Sequence, residues 1–211
     1  VYIAGGSRTP LGMFNSVFSD VPAAHLGGLV IKESLRRVGA SVDDVDEVLF
    51  GNVLGAGLGQ NIARQVTLSA GLPVSCGATT INKVCGSSMR AIILAAQAIQ
   101  CGDGDLIVAG GTESMTRAPY LLPKARGGFR MGHGEVLDSM IHDGLWDVYN
   151  NVHMGTCGDT CAAAFGITRE ELDAYAIESF KRVIASQEAG NFDAVLVPVE
   201  VKNREGTTVV D

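Results

Sequence analysis

The sequence predicts an α/β fold, a mostly parallel sheet covered by helices. Three observations lead there. Short apolar runs bounded by glycine recur at 1–5, 47–51 and 106–111, and segments of helical periodicity stand between them. Glycine makes up 27 of the 211 residues, the composition of a chain that turns tightly and brings its backbones close together.

The elements follow in order. VYIAG, ended by Gly5 and Gly6, reads as a buried strand. From Pro22 to Val38, the residues Leu26, Leu29, Val30 and Val38 share one face while Lys32, Arg36 and Arg37 reach water. That is an amphipathic helix closed by Gly39. Ser41 to Asp44 has the pattern of a capping box, and EVLFG (47–51) is the next strand. NIARQVTLSA (61–70) forms a short helix stopped by Gly71, and the β-branched ATTINKV (78–84) forms a strand. Gly86 to Gln100 is apolar nearly all round, so this helix is expected to be buried on every side. LIVAGG (106–111) reads as a fully buried strand.

After about Pro119 the texture changes. Residues 119–150 are rich in Gly and Arg with no sustained period, the pattern of a functional loop or lid. A second capping box, Thr168 to Glu171, opens a helix whose Leu172, Tyr175, Ala176, Ser179, Phe180, Val183 and Ile184 keep helical spacing up to Gly190. AVLVPVEV and TTVV, joined across Asn203 to Gly206, read as a hairpin.

The bulk composition excludes several functions. A net charge of −7 argues against nucleic acid as a partner. No run of about 18 purely apolar residues occurs, so no membrane span is expected. Five cysteines without framework spacing read as reduced thiols in a reducing compartment, hence a cytoplasmic location. A mitochondrial or peroxisomal one is the alternative if a targeting peptide has been removed. No basic leader or initiator Met opens the sequence, so any such peptide is expected to be absent from it.

Cys85 is the first candidate for chemistry. A strand ending at Val84 and a helix opening at Gly86 set its sulfur at a helix N-terminus, where backbone N–H groups favour an anion by at most ~2 kcal/mol. Gly86, Ser87 and Ser88 are small enough to let a substrate approach, but a base is still required. A buried structural cysteine is the competing reading. GAGLGQNIARQ (55–65) has glycines opening a helix, but Gln60 stands where a dinucleotide fingerprint needs glycine and no acidic residue follows at the right distance. His153, Cys157 and Cys161, four residues apart, could share a helical face as metal ligands, or simply pack there. PKARGGFRMGHG (123–134) is basic in an acidic chain: a solvated loop, a cationic lip for an anionic ligand, or a subunit contact.

Together these stretches resemble the thiolase family, specifically acetyl-CoA acetyltransferases of the acetoacetyl-CoA type. The matches run in order through SRTPLGMF, GNVLGAGLGQNIARQ, NKVCGSSMRA, VAGGTESMT, RGGFRMG, DGLWD, NVHMG, ITREELDAYAIESF and GNFDAVLVPVEV. The resemblance implies a thiolase fold of two duplicated βαβαβαββ halves in layered α-β-α-β-α architecture, with a loop domain inserted in the first. Residues 1–118 would be the N-terminal half and 119–211 most of the loop domain, the C-terminal half being absent. It further implies that Cys85 is the nucleophile that becomes an acyl thioester, its backbone N–H contributing to an oxyanion hole. Leu145, His153 and Met154 would line the pantetheine arm of coenzyme A. The protein would be a homodimer or homotetramer, with 123–140 as the loop through which tetramers form.

The implied reaction is reversible condensation of two acetyl-CoA to acetoacetyl-CoA and CoA. Acetyl-CoA, acetoacetyl-CoA and CoA are then substrates or products, with no metal or redox cofactor. A broader 3-ketoacyl-CoA thiolase of fatty-acid degradation, a β-ketoacyl synthase and a catalytically silent scaffold half are the alternatives. The chain departs from the family pattern at Ser88, Met89 and Asp159 and above all in length. The family's base and second cysteine have no counterpart here, so these 211 residues alone are expected to be inactive and to aggregate or bind a hydrophobic dye.

Overall fold

The computed structural model describes residues 1–203 and 206–211. Its core is a three-stranded parallel sheet flanked by helices. In chain order the elements are α1 (Ala23–Val38), β1 (Glu47–Gly51), α2 (Ile62–Ser69), β2 (Gly77–Ile81), α3 (Ser87–Cys101) and β3 (Ile107–Gly111). The strands lie in the order β2-β1-β3, with Val48 opposite Ala78 on one side and Val108 on the other. Alternation along β1 then sorts the core into two layers. Val48 and Phe50 point to the face carrying α1 and α2, where Ile31, Leu35, Ile62 and Val66 bury them. Leu49 points the other way and meets Ala91 and Ala95 of α3.

α1 begins after Pro22, which needs no N–H partner there, and ends at Gly39 in the left-handed region. Its buried face is Leu26, Ile31 and Leu35, rotated from the predicted one, and Val38 is part-exposed. The cause is α2, which crosses at Gly27 and Gly28. A Cβ on Gly27 would stand 2.8 Å from Val66. The capping box at Ser41 and Asp44 forms as expected, around a short 3-10 turn.

Several other expectations are corrected. Residues 1–5 form no strand, and Tyr2 and Ile3 are exposed. An apolar run becomes a strand only beside a ladder partner, and the first pairing is the parallel bridge of Arg8 with Leu196. β2 stops at Ile81 instead of Val84, and β3 is half-buried because it is an edge strand. α3 is covered on one face only: Met89, Ile92 and Ile93 face outward. The 18-residue window Val84–Cys101 reaches a mean hydropathy of 1.2, enough by length and composition for a membrane span. The helix itself has 15 residues, about 22 Å at 1.5 Å per residue, short of the roughly 30 Å hydrocarbon core.

Beyond β3 the chain runs through small elements: β4 (Tyr120–Leu121), β5 (Leu137–Asp138), α4 (Ser139–Gly144), β6 (Trp146–Asp147) and β7 (Val152–His153). β4 pairs with β5 and β6 with β7, both antiparallel. Two longer helices follow, α5 (Met154–Phe165) and α6 (Arg169–Glu188), with the Thr168–Glu171 capping box in place at the start of α6. Neither helix buries a residue fully. The closing hairpin is β8 (Val199–Asn203) with β9 (Gly206–Val210), shorter than predicted at its start. Residues 204 and 205 of its predicted turn lie outside the described residues. Val199 and Val201 pack on Phe18, Val21 and Leu26, so the hairpin returns to α1.

Candidate active site

The parallel strands β1 and β3 end at Gly51 and Gly111, and the start of α3 comes down onto both. A Cβ on Gly51 would lie 2.8 Å from Ser87 Cβ and from the Ser88 amide nitrogen, and one on Gly111 would run into Ser88 and the Gly51 carbonyl. Only glycine permits that approach. It opens a cavity of about 380 Å³ at the carboxyl ends of the strands, where open α/β sheets place their ligands.

Cys85 lines this cavity and is exposed. It stands one residue before Gly86, the N-cap of α3. The turn between β2 and α3 is tightly tied. Lys83 N–H donates to Ser87 Oγ at 2.9 Å, Ser87 Oγ–H donates to the Val84 carbonyl at 2.6 Å, and Val84 N–H donates to Asn82 Oδ1 at 2.9 Å. Val84 is held at φ 49°, a left-handed conformation that costs a β-branched residue about 1–3 kcal/mol. The surrounding hydrogen bonds hold that strain, and the effect is to present the next residue, Cys85, outward at a helix start. This exposure removes the reading of Cys85 as a buried structural thiol.

Other cavity walls come from Val53, Leu54, Met115 and Leu145, giving the cavity a largely apolar lining. Leu145 therefore shares the cavity with Cys85, but His153 and Met154 stand outside its lining. They lie close by: Trp146 pairs with His153 in the β6–β7 hairpin, and Met154 N–H donates to the Leu145 carbonyl at 2.9 Å. His153 is the N-cap of α5, its Nδ1 accepting the Gly155 N–H at 3.0 Å. Cys157 Sγ approaches Asp147 Oδ2 at 3.8 Å instead. His153, Cys157 and Cys161 thus do not converge on a metal, and among the described residues no such cluster forms. The basic stretch 123–134 is exposed throughout.

Glu113 and Asn52 were not singled out in the sequence. Glu113 sits two residues beyond β3, and its carboxylate accepts from Asn52 Nδ2 at 2.8 Å, Val53 N–H at 2.8 Å and Leu54 N–H at 3.2 Å. Burial pushes its carboxyl up from the ordinary value, more than those donors hold it down. The available signal was a carboxylate just past a glycine-ended apolar strand, beside an asparagine just past another. The register Gly51↔Gly111 makes them neighbours, but it is not readable without the sheet order.

Residues 1–211 match the family model described as "Thiolase, N-terminal domain". The chain is 52% identical to acetyl-CoA acetyltransferase 2 of Arabidopsis thaliana, covering 100% of this chain and 53% of that protein. It is 49% identical to an acetyl-CoA acetyltransferase of Pseudomonas aeruginosa, over 98% of this chain and 52% of that protein. Its backbone superposes on the Acat5 thiolase of Ascaris suum, solved in complex with coenzyme A, with a TM-score of 0.90 and 43% identity, over 94% of this chain and 51% of that one. The chain spans about half the length of the curated relatives it matches.

Proposed function

The chain belongs to the thiolase family, and from that premise we propose that it is the nucleophile-bearing part of an acetyl-CoA acetyltransferase. The reaction is the reversible condensation of two acetyl-CoA to acetoacetyl-CoA and CoA. The observation that carries this reading is the exposed Cys85 thiol, set on a strained turn at the start of α3 over a largely apolar cavity.

In the forward direction the Cys85 thiolate attacks the carbonyl carbon of acetyl-CoA. A new S–C bond forms, the bond to the CoA sulfur breaks, and CoA leaves as a thiolate that takes up a proton. A second acetyl-CoA gives up an α-proton to a base that we expect outside these residues. The carbanion attacks the acyl-Cys85 carbon, a C–C bond forms, and Cys85 departs as thiolate. No electron is exchanged with an external acceptor. Leu145 in the cavity wall, with His153 and Met154 beside it, would line the path of the pantetheine arm. Subunits would meet through 123–140.

Cys85→Ala in the complete protein should abolish acetoacetyl-CoA cleavage and leave no acetyl adduct on intact-mass measurement after incubation with acetyl-CoA. The 211 residues expressed alone should not turn over. Normal cleavage by the Cys85→Ala variant would overturn the assignment.

A further inference from the structure

We propose that Glu113 is a positioning residue for acyl transfer at Cys85, fixing Asn52–Leu54 as one wall of the cavity into which the thiol opens. The proposal rests on the function proposed above and adds a residue to it. Both Glu113 oxygens are engaged, Oε1 by Asn52 Nδ2 and Leu54 N–H, and Oε2 by Val53 N–H. Two of these donors are backbone amides of a short loop leaving β1, which among the described residues has no strand beside it at that point. Without the carboxylate they would be left without acceptors inside the wall.

The connection continues to the nucleophile. Asn52 is 4% exposed; its Nδ2 also donates to the Thr112 carbonyl at 3.1 Å, and its own N–H donates to the Ile81 carbonyl at 3.1 Å. Ile81 is the last residue of β2, from which the turn carrying Cys85 departs. One carboxylate thus ties the ends of all three strands together: β3 through its own backbone, β1 through residues 52–54, and β2 through Asn52. Glu113 is also itself a cavity residue with Cys85. A glutamine at this position would turn an N–H₂ group toward N–H donors and lose at least one of the three bonds.

The test uses the complete protein with acetyl-CoA as probe. Glu113→Gln should slow acetylation of Cys85 by ~10–100-fold, the loss expected when a reacting group is misplaced by about an ångström. Alkylation of the same thiol by iodoacetamide, which needs no fitted cavity, should keep its wild-type rate. Hydrogen exchange at the Val53 and Leu54 amides should accelerate, and Glu113→Asp should fall between the two. Acetylation of Glu113→Gln at the wild-type rate, an equal loss in acetylation and alkylation, or unchanged exchange at residues 53 and 54 would each overturn the proposal. If Glu113→Gln does not fold, Glu113→Asp carries the same three readings. A wild-type protein that is never acetylated would sink the proposed function instead, with amide exchange still deciding whether Glu113 holds the wall.

Discussion

α1 and α6 are both amphipathic in sequence, and they end up in opposite situations. α1 buries Ile31 and Leu35 against α2 and the sheet and Leu26 against the β8–β9 hairpin, with Gly27 and Gly28 letting α2 approach. α6 is longer, 20 residues against 16, and buries none. It is held instead by local devices: the Thr168–Glu171 capping box and the ion pairs Arg169–Asp173 and Glu178–Arg182, each 2.8 Å. Periodicity tells that a helix has an apolar face. Whether anything covers that face is decided by other parts of the polymer, and here the first region supplies its own cover and the second does not. The proposed chemistry sits in the first, where long-range packing fixes the ends of three strands.

The largest test of this contrast compares two phenylalanines. Phe50 is 2% exposed in the middle of the sheet and Phe180 is 72% exposed on α6. Phe50→Ala should lower unfolding free energy by about 3–5 kcal/mol, and Phe180→Ala should change it by no more than about 0.5 kcal/mol. Urea denaturation of both variants gives the comparison. A similar loss in the two would mean that α6 has a packing partner in solution and that the contrast is false.

The same substitution should also change sign between the regions. Gly51→Ala drives a methyl group into the backbone of Ser88, and a clash of that kind typically costs about 1–3 kcal/mol. Gly158 lies inside α5 with nothing within 4 Å of an added Cβ. Gly158→Ala should therefore stabilise by about 0.5–1 kcal/mol, through backbone entropy alone. Thermal denaturation midpoints of the pair would show it, and a destabilising Gly158→Ala would place a hidden neighbour against α5.

How much of this was legible in the sequence follows the same division. β1, α2 and both capping boxes were readable because their signals are local: an apolar run ended by a glycine, a Ser or Thr three residues before an acidic residue. The place of Cys85 just before a helix was readable because the small residues after it mark a helix start. That residues 1–5 form no strand was not legible, since pairing depends on a neighbour far along the chain. The face of α1 was misread because Gly27 and Gly28, silent in any hydrophobic pattern, decide where α2 crosses. Glu113 was missed for the same kind of reason: its partners are 59 to 61 residues away in sequence and meet it only through the parallel register.

The smallest expected effect separates two carboxylates by pH. Glu33 on α1 is bonded by Arg36 and Arg37, each at 2.7 Å, and these guanidinium groups hold its carboxyl down at about 2, below the ordinary 4.5. Its stabilising contribution is therefore complete above pH 4.5 and is lost as pH falls from there towards about 2. Glu113 runs the other way. Burial raises its carboxyl above 4.5, so its contribution is complete below that pH and is lost as pH rises through the raised value. Melting curves of wild type, Glu33→Gln and Glu113→Gln from pH 2 to 8 separate the two, each variant flattening the slope in its own window. The sign matters for function as well as for stability. A carboxyl pushed up by burial while three donors tie it to the strand ends beside an exposed thiol has electrostatics common at functional sites. A Glu113→Gln curve that keeps the wild-type fall above pH 4.5 would return that carboxylate to the plain packing of the loop.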